Sequence, residues 1–141
     1  MGDTIFVDTG FFIAIVNKDD DFHDDAVKNY TALKKVLNQT RLVFTDYVFD
    51  EVMNGLKSQG ISTEEIAKFG DGLLQSKYYH MYPVSDPIFR SAWAMFKKYK
   101  DKEWSFTDCT SFAVMQELGI VFHLSFDEHF NQAKFQAWTG D

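Results

Sequence analysis

Short apolar runs alternate along the chain with longer stretches in which apolar residues recur at helical spacing. Five short runs rich in β-branched and aromatic residues predict strands, at residues 4–8, 41–45, 78–84, 120–124 and 134–138. Helical patterns separate them, so the predicted element order is βα-α-βα-α-β-α-α-β-α-β. Because the connections are short, this order favours an α/β fold, a three-layer α/β/α sandwich around a mainly parallel central sheet.

Residues with known capping preferences predict where several helices begin. Asp46 follows the second predicted strand, and Asp86 precedes Pro87, a residue favoured at the first helical position. Ser105, followed three residues later by Asp108, has the spacing of an N-terminal capping box. A carboxylate is therefore predicted in the first turn of a mostly apolar helix.

Other positions modify this pattern. Gly70 and Gly72 interrupt the helical pattern that begins near Ser62, and Pro83 places the third strand at a sheet edge or shortens it. Residues 18–25 contain five aspartates but lack the Gly and the closing Glu of a calcium-binding loop. They predict a solvated turn that leads into the next helix, with His23 in a structural role.

Composition limits the class of protein. A chain of 141 residues with 45% hydrophobic residues and 15 Phe, but only 2 Pro, predicts one globular domain over residues 1–141. The single cysteine, Cys109, excludes an internal disulfide and fits a reducing compartment, which makes the cytoplasm the expected location. The longest apolar run, residues 5–16, contains Asp8 and is too short to span a bilayer, so no membrane partner is expected.

The formal net charge of −7 argues against a protein that binds duplex nucleic acid by neutralising many phosphates. It does not exclude a nuclease that recruits divalent cations to its own carboxylates. One basic cluster stands out, and it consists of Lys97, Lys98, Lys100 and Lys102. Two interpretations of this cluster remain open, a solvated helix end and a contact surface for the phosphates of RNA.

Four acids fall where parallel α/β sheets commonly bind ligands. Asp8 and Asp127 follow predicted strands, whereas Glu51 and Asp108 lie in the first turns of helices that begin near the same edge. Convergence on one site is therefore possible. Helix capping explains Asp8 and Asp108 equally well, and 21 acidic residues make an acid near any boundary unsurprising, so spacing alone leaves both interpretations open.

Four segments together resemble the PIN-domain family, and most closely its VapC-like toxin branch. In chain order they are FVDTGFFIA, TDYVFDEV, KEWSFTDCTSFAVMQELGI and LSFDEHF. The resemblance covers essentially the whole chain. It implies that four acids bind Mg²⁺ or Mn²⁺, namely Asp8, Glu51, Asp108 and Asp127. It also implies that Thr9 and Thr107 support them. Many relatives carry a second acid where this chain has His129, which leaves the number of metal ions and the role of Asp127 open.

The same resemblance implies a metal-dependent endoribonuclease that cuts single-stranded or looped RNA. Asp8 and Asp108 would be the primary ligands, Glu51 a ligand or the residue that orients water, and Asp127 an outer ligand. Members of this branch are usually homodimeric toxins that a small antitoxin protein neutralises, so both partners are expected here.

Rival functions make different demands on the residues after the first strand. A phosphoacceptor domain needs a second acid paired with Asp8, and Phe6-Val7-Asp8-Thr9 offers only one. A hydrolase with an aspartyl nucleophile needs a further Asp two residues later, where this chain has Gly10. The alternative that remains is a non-catalytic PIN-like module that binds RNA or protein.

Overall fold

A five-stranded, all-parallel sheet forms the centre of the structure, a computed structural model that describes residues 2–140. The strands are β1 (Thr4–Val7), β2 (Arg41–Thr45), β3 (Tyr79–Tyr82), β4 (Phe122–Leu124) and β5 (Gln136–Ala137). They lie in the order β3-β2-β1-β4-β5, and every neighbouring pair is parallel. The predicted α/β class and parallel sheet are therefore confirmed. Met1 and Asp141, the ends of the predicted domain, lie outside the described residues.

Helices separate the strands in the predicted order. They are α1 (Thr9–Val16), α2 (His23–Lys34), α3 (Asp46–Ser58), α4 (Thr63–Gln75), α5 (Asp86–Lys98), α6 (Phe106–Leu118) and α7 (His129–Gln132), with a 3₁₀ turn at Leu37–Gln39. Parallel neighbours require crossover connections, and these helices supply them, which gives the predicted three-layer sandwich. Within residues 2–140, no helix combines the length and the apolar character needed to cross a lipid bilayer.

The core includes the strands and residues from most of the helices, and helix α6 is buried from Asp108 to Met115. Aromatic rings fix this helix in place. The Phe112 ring meets those of Trp104 and Phe130 edge-on, with centroids 5.0 and 4.9 Å apart. Such pairs contribute about 0.5–1.5 kcal/mol each beyond the burial of their area. Because α6 is held on several sides, the carboxylate in its first turn has a defined position.

Helix α4 does not break at its glycines, contrary to the prediction. Gly70 is buried against α3, where an added Cβ would lie 3.3 Å from the Phe49 ring and 3.4 Å from Met53 Sδ. The glycine therefore permits close approach of two helices rather than a turn. The prediction for the third strand was better, since β3 is short and lies at the sheet edge, as Pro83 indicated.

Two helices begin one residue earlier than predicted. Thr45 caps α3 by accepting the Val48 N–H at 3.0 Å, while Asp46 Oδ1 accepts the Val84 N–H at 2.9 Å. Asp46 therefore links α3 to the segment that follows β3. In the same way, Ser85 rather than Asp86 caps α5.

Candidate metal and active site

The carboxyl ends of β1 and β4 and the N-terminal ends of α1 and α6 meet at one cavity of about 370 Å³. The Asp8 N–H donates to the Leu124 carbonyl at 3.1 Å, which fixes the two strand ends beside each other. All four acids singled out in the sequence line this cavity, and they are Asp8, Glu51, Asp108 and Asp127. The parallel sheet thus brings together residues that are distant in the chain.

Asp8 occupies the N-cap position of α1, but its side chain makes no capping hydrogen bond to the helix. The side chain is buried, and burial raises the pKa of this carboxyl well above its ordinary value. The negative charges of Asp108, Asp127 and Glu51 raise this pKa further, while the backbone N–H of Thr9 opposes the shift. Capping does not explain Asp8, and its crowded surroundings call for a positive charge.

Asp108 combines the two roles that the sequence left open. The capping box is present, because Ser105 Oγ accepts the Asp108 N–H and Asp108 Oδ2 accepts the Ser105 N–H, both at 3.0 Å. The same Oδ2 lies 2.8 Å from His129 Nδ1. Burial raises the pKa of the Asp108 carboxyl, the Ser105 bond opposes this shift, the charge of Asp127 adds to it, and His129 lowers it. Asp108 therefore caps α6 and also faces the cavity.

Asp127 and His129 also line the cavity, where they form a cluster with Asp108. Potential ligand atoms of Asp108, Asp127 and His129 all lie within 4.8 Å of one another. Asp127 Oδ1 accepts the His129 N–H at 2.9 Å, and Ser125 Oγ lies 3.4 Å from both Asp127 Oδ1 and Asp8 Oδ2. Ser125 therefore connects the cluster to the buried Asp8.

Glu51 takes a different position from the other three acids. It lines the cavity from α3 but is exposed, and it does not belong to the cluster of close ligand atoms. Its charge still raises the pKa of Asp8. Glu51 is next to the buried Val52 of α3, but its carboxylate is exposed to solvent and needs no partner within the protein.

The two threonines named from the sequence lie in different surroundings. Thr9 is buried and lines the cavity, and its Oγ1 has no hydrogen-bond partner among residues 2–140. Thr107 lies in the first turn of α6 outside the cavity, where its carbonyl accepts a hydrogen bond from Thr110 Oγ1. An unpartnered hydroxyl beside Asp8 is the arrangement expected where a hydrated cation would supply the partner.

The basic cluster lies apart from the cavity, at the end of α5 and in the segment leading to α6. Its four residues are Lys97, Lys98, Lys100 and Lys102. Lys98 Nζ lies 5.4 Å from the centre of the Tyr99 ring, and Lys102 Nζ lies 3.5 Å from Asp101 Oδ2. These lysines do not contribute to the wall of the cavity.

Several cavity residues were missed in the sequence. Residues 18–25 were interpreted as a solvated turn, yet Asp20 and Phe22 line the cavity, together with Phe126 and His129. The one available signal was Phe22, a lone aromatic residue in a strongly acidic stretch. A solvated turn gives no reason for an aromatic residue there.

The donor set fits a divalent cation. Carboxylate oxygens are the ligands that Mg²⁺ and Mn²⁺ prefer. The pKa of the Asp8 carboxyl is raised first by burial and then by the negative charge of neighbouring carboxylates. A cation between these groups would relieve the repulsion.

Known proteins share both the sequence pattern and the fold. The chain matches the PIN domain family over residues 5–136. It is 29% identical over 131 residues to the 23S rRNA-specific endonuclease VapC20 of Mycobacterium tuberculosis, a match that covers 93% of this chain and 95% of that protein. The crystal structure of VapC20, described as a Sarcin-Ricin loop cleaving toxin, superposes with a TM-score of 0.79 at 28% identity and covers 94% of this chain and 96% of that one.

More distant structures share the fold. FitAcB from Neisseria gonorrhoeae has a TM-score of 0.66 at 16% identity, covering 96% of this chain and 97% of that one. VapBC2 from Rickettsia felis, bound to a promoter DNA fragment, has a TM-score of 0.70 at 11% identity, covering 96% and 99%. The family match spans nearly the whole chain, so the chain belongs to the PIN-domain family, with the VapC-like toxin nucleases as the relatives that its sequence predicted.

Proposed function

We propose that this chain is a metal-dependent endoribonuclease that hydrolyses phosphodiester bonds in single-stranded or looped RNA, and that it is the toxin of a toxin–antitoxin pair. The observation that carries the proposal is the convergence of four acids from β1, α3, α6 and the segment after β4 on one cavity. The similarity to VapC20, a 23S rRNA-specific endonuclease, supports RNA as the substrate class.

Each acid has a distinct role in this proposal. Asp8 and Asp108, the two buried carboxylates, hold Mg²⁺ or Mn²⁺, while Asp127 is an outer ligand. Glu51 ligates or orients the attacking water from the exposed wall. When bound, the ion would lower the pKa of that water and offset negative charge on the phosphodiester.

The surrounding side chains keep these acids in place. Ser105 holds one oxygen of Asp108, and His129 binds the same oxygen through Nδ1. When Asp108 is ionised its carboxylate only accepts hydrogen bonds, and this contact then requires the proton on His129 Nδ1. Ser125 and Thr9 offer hydroxyls to the space beside Asp8. A covalent nucleophile is not required, because a positioned water attacks directly.

The test of the proposal is cleavage of single-stranded RNA that requires a divalent metal but no histidine. His23 Nδ1 bonds the Ala14 carbonyl at 2.6 Å and lies outside the cavity, so we expect His23→Asn to retain metal-dependent cleavage. His129→Asn should retain metal-dependent cleavage with a loss of about 10- to 100-fold, as for other groups that orient a ligand. Gel assays with and without a chelator measure both effects.

Chelation of the metal should stop cleavage in the wild type and in both histidine variants. Cleavage that persists in a chelator and disappears with a histidine would instead indicate metal-free acid–base catalysis. Binding of RNA without any cleavage would favour the alternative, a non-catalytic PIN-like module.

The basic cluster is proposed as a flanking contact for RNA phosphates. A variant in which Lys97, Lys98 and Lys100 are all replaced by Gln should bind every single-stranded RNA sequence more weakly, and by a similar factor. The slope of log affinity against log salt should fall by roughly 0.7 for each lysine that contacts a phosphate. Fluorescence anisotropy across a salt series measures this slope. Lys57→Gln, in the last turn of α3 and outside the cavity, is the matched control. An unchanged slope would identify the cluster as a solvated helix end.

We further propose a small antitoxin protein and a second copy of the chain as partners, in the cytoplasm. Two apolar surfaces outside the acidic cavity support protein partners. A second cavity of about 430 Å³ includes Ile15, Phe69 and Leu73, and the α5 surface leaves Trp93 and Phe96 exposed. Exposed apolar patches of this kind are typical of protein interfaces.

A further inference from the structure

Three phenylalanine rings form a stack that leads from the core to the acidic cavity. Phe11 is buried, and its ring centroid lies 6.4 Å from that of Phe126. The Phe126 ring is in turn stacked on Phe22, with centroids 4.8 Å apart and an interplanar angle of 2°. Phe22 is 44% exposed, and both Phe22 and Phe126 line the cavity. The stack therefore ends in an open aromatic surface beside the acids.

The turn that carries Phe22 is held in place by its own polar groups. Asp20 Oδ1 accepts the Phe22 N–H at 2.9 Å, and the Asp20 N–H donates to the Asn17 carbonyl at 3.1 Å. The following residue, His23, bonds the Ala14 carbonyl of α1. The ring is therefore positioned before any ligand arrives, which lowers the entropic cost of binding to it.

Packing accounts for one side of the Phe22 ring. Its contact covers the Phe126 ring, which lies between β4 and α7, and this role needs only an apolar side chain. Packing does not explain why an aromatic ring that lines the cavity is left 44% exposed within an acidic turn.

We propose that the exposed face of Phe22 stacks an unpaired nucleobase of the RNA next to the phosphodiester that lies over the acids. The inference rests on the proposed function and deepens it. Carboxylates repel RNA phosphates, so an uncharged attraction to a base helps to hold RNA in this cavity. Every base has an aromatic face, which makes the contact tolerant of sequence.

This contact selects for single-stranded RNA. In a duplex the faces of a base are covered by its neighbours in the stack, so a paired base reaches Phe22 only after unstacking, which costs free energy. A base in a loop or a single strand has an open face already. The proposed preference for single-stranded or looped RNA therefore has a physical basis in one residue.

The variant that tests the stack is Phe22→Leu, because leucine still covers Phe126 but has no aromatic face. For a short single-stranded oligoribonucleotide we expect kcat/KM to fall about 5- to 150-fold, mainly through KM. Phe22→Tyr should restore near wild-type values. Tyr30→Leu is the matched control, since Tyr30 lies on α2, the helix that begins directly after Phe22, is 37% exposed and lies outside the acidic cavity.

Two RNA probes separate stacking from a general defect. An abasic nucleotide at the stacked position should lower kcat/KM of the wild type for RNA cleavage. The wild type and Phe22→Leu should then cleave this RNA with similar kcat/KM. The second probe carries 2-aminopurine at that position. Its fluorescence should be quenched on mixing with the wild type but not with Phe22→Leu. Stopped-flow fluorescence measures this signal before turnover.

The failures of the two proposals are distinguishable. The stacking proposal would be overturned if Phe22→Leu had the KM of the wild type and both proteins responded equally to every abasic position. That result would leave the proposed nuclease function unaffected. Absence of metal-dependent cleavage in the wild type would contradict the proposed function instead, and the 2-aminopurine signal would still decide whether Phe22 stacks a base.

Discussion

Asp108→Asn should lower metal affinity and reduce RNA cleavage by at least about 100-fold, while the metal-free protein remains as stable as the wild type or becomes more stable. The loss of activity follows because Asp108 is one of the two buried carboxylates proposed to hold the ion. Asparagine keeps the size of the side chain but removes the charge that a hard cation requires.

The stability of the metal-free variant separates this role from capping. The asparagine oxygen still accepts the Ser105 N–H, so loss of the cap is avoided and the free energy of unfolding should change by no more than about 1 kcal/mol from this source. Removal of a charge next to Asp8 acts in the opposite direction, because burial and then the Asp108 charge raise the pKa of Asp8. The net change is expected to be neutral or stabilising.

Three measurements on each protein check this expectation. They are calorimetric titration with Mn²⁺, cleavage of single-stranded RNA, and urea unfolding in a chelator. The matched control is Asp71→Asn, an exposed acid of α4 outside the cavity. Asp20 is unsuitable as a control because it lines the cavity and binds the Phe22 N–H. Near wild-type cleavage by Asp108→Asn, with unchanged metal dependence, would leave Asp108 as a cap only.

The element order was predictable because each element carries its own local signal. Buried parallel strands appear as continuous apolar runs, and helices show spaced apolar residues with polar residues between them. The capping box at Ser105 and Asp108 was predictable for the same reason, since both of its hydrogen bonds are formed within four residues. In a parallel sheet the carboxyl ends of the strands lie at one edge, so acids that follow different strands are brought close together.

Local signals do not determine which of two adjacent capping residues is used. Thr45 and Asp46 are both good N-cap residues. Thr45 caps α3, because the Asp46 carboxylate accepts a hydrogen bond from the Val84 N–H. The prediction of a break at Gly70 was wrong for a similar reason. Its lack of a side chain is required by Phe49 on a neighbouring helix, a contact that the sequence of α4 does not contain.

The wall of the cavity was the least predictable part. Phe22 faces the acids because its ring stacks on Phe126, a residue from the opposite end of the chain. His129 was noted only as a substitution for an acid, whereas its contact with Asp108 depends on how α7 packs near α6. Both contacts arise from tertiary packing, to which periodicity and spacing are insensitive.

Divalent metal should stabilise the folded wild type by about 2.7 kcal/mol when its free concentration is 100 times the dissociation constant. The physical reason is that the cation binds acids that converge only in the folded chain. For a domain of this size, the gain corresponds to a rise in melting temperature of roughly 5–10 °C. Thermal unfolding followed by circular dichroism, with millimolar Mg²⁺ or Mn²⁺ and with a chelator, measures it.

The rise in melting temperature should depend most strongly on the two buried acids, Asp8 and Asp108. Asp8→Asn should lose most of the metal-dependent rise, because Asp8 is one of the two buried carboxylates proposed to hold the ion. The Asp8 side chain makes no capping hydrogen bond, so the substitution removes no helix cap. Asp71→Asn should keep the full rise. Since Ca²⁺, Mg²⁺ and Mn²⁺ all bind exposed carboxylates weakly, equal shifts in the wild type and Asp8→Asn would reveal non-specific binding. A melting temperature that millimolar Mg²⁺ and Mn²⁺ leave unchanged would contradict a metal site at these four acids.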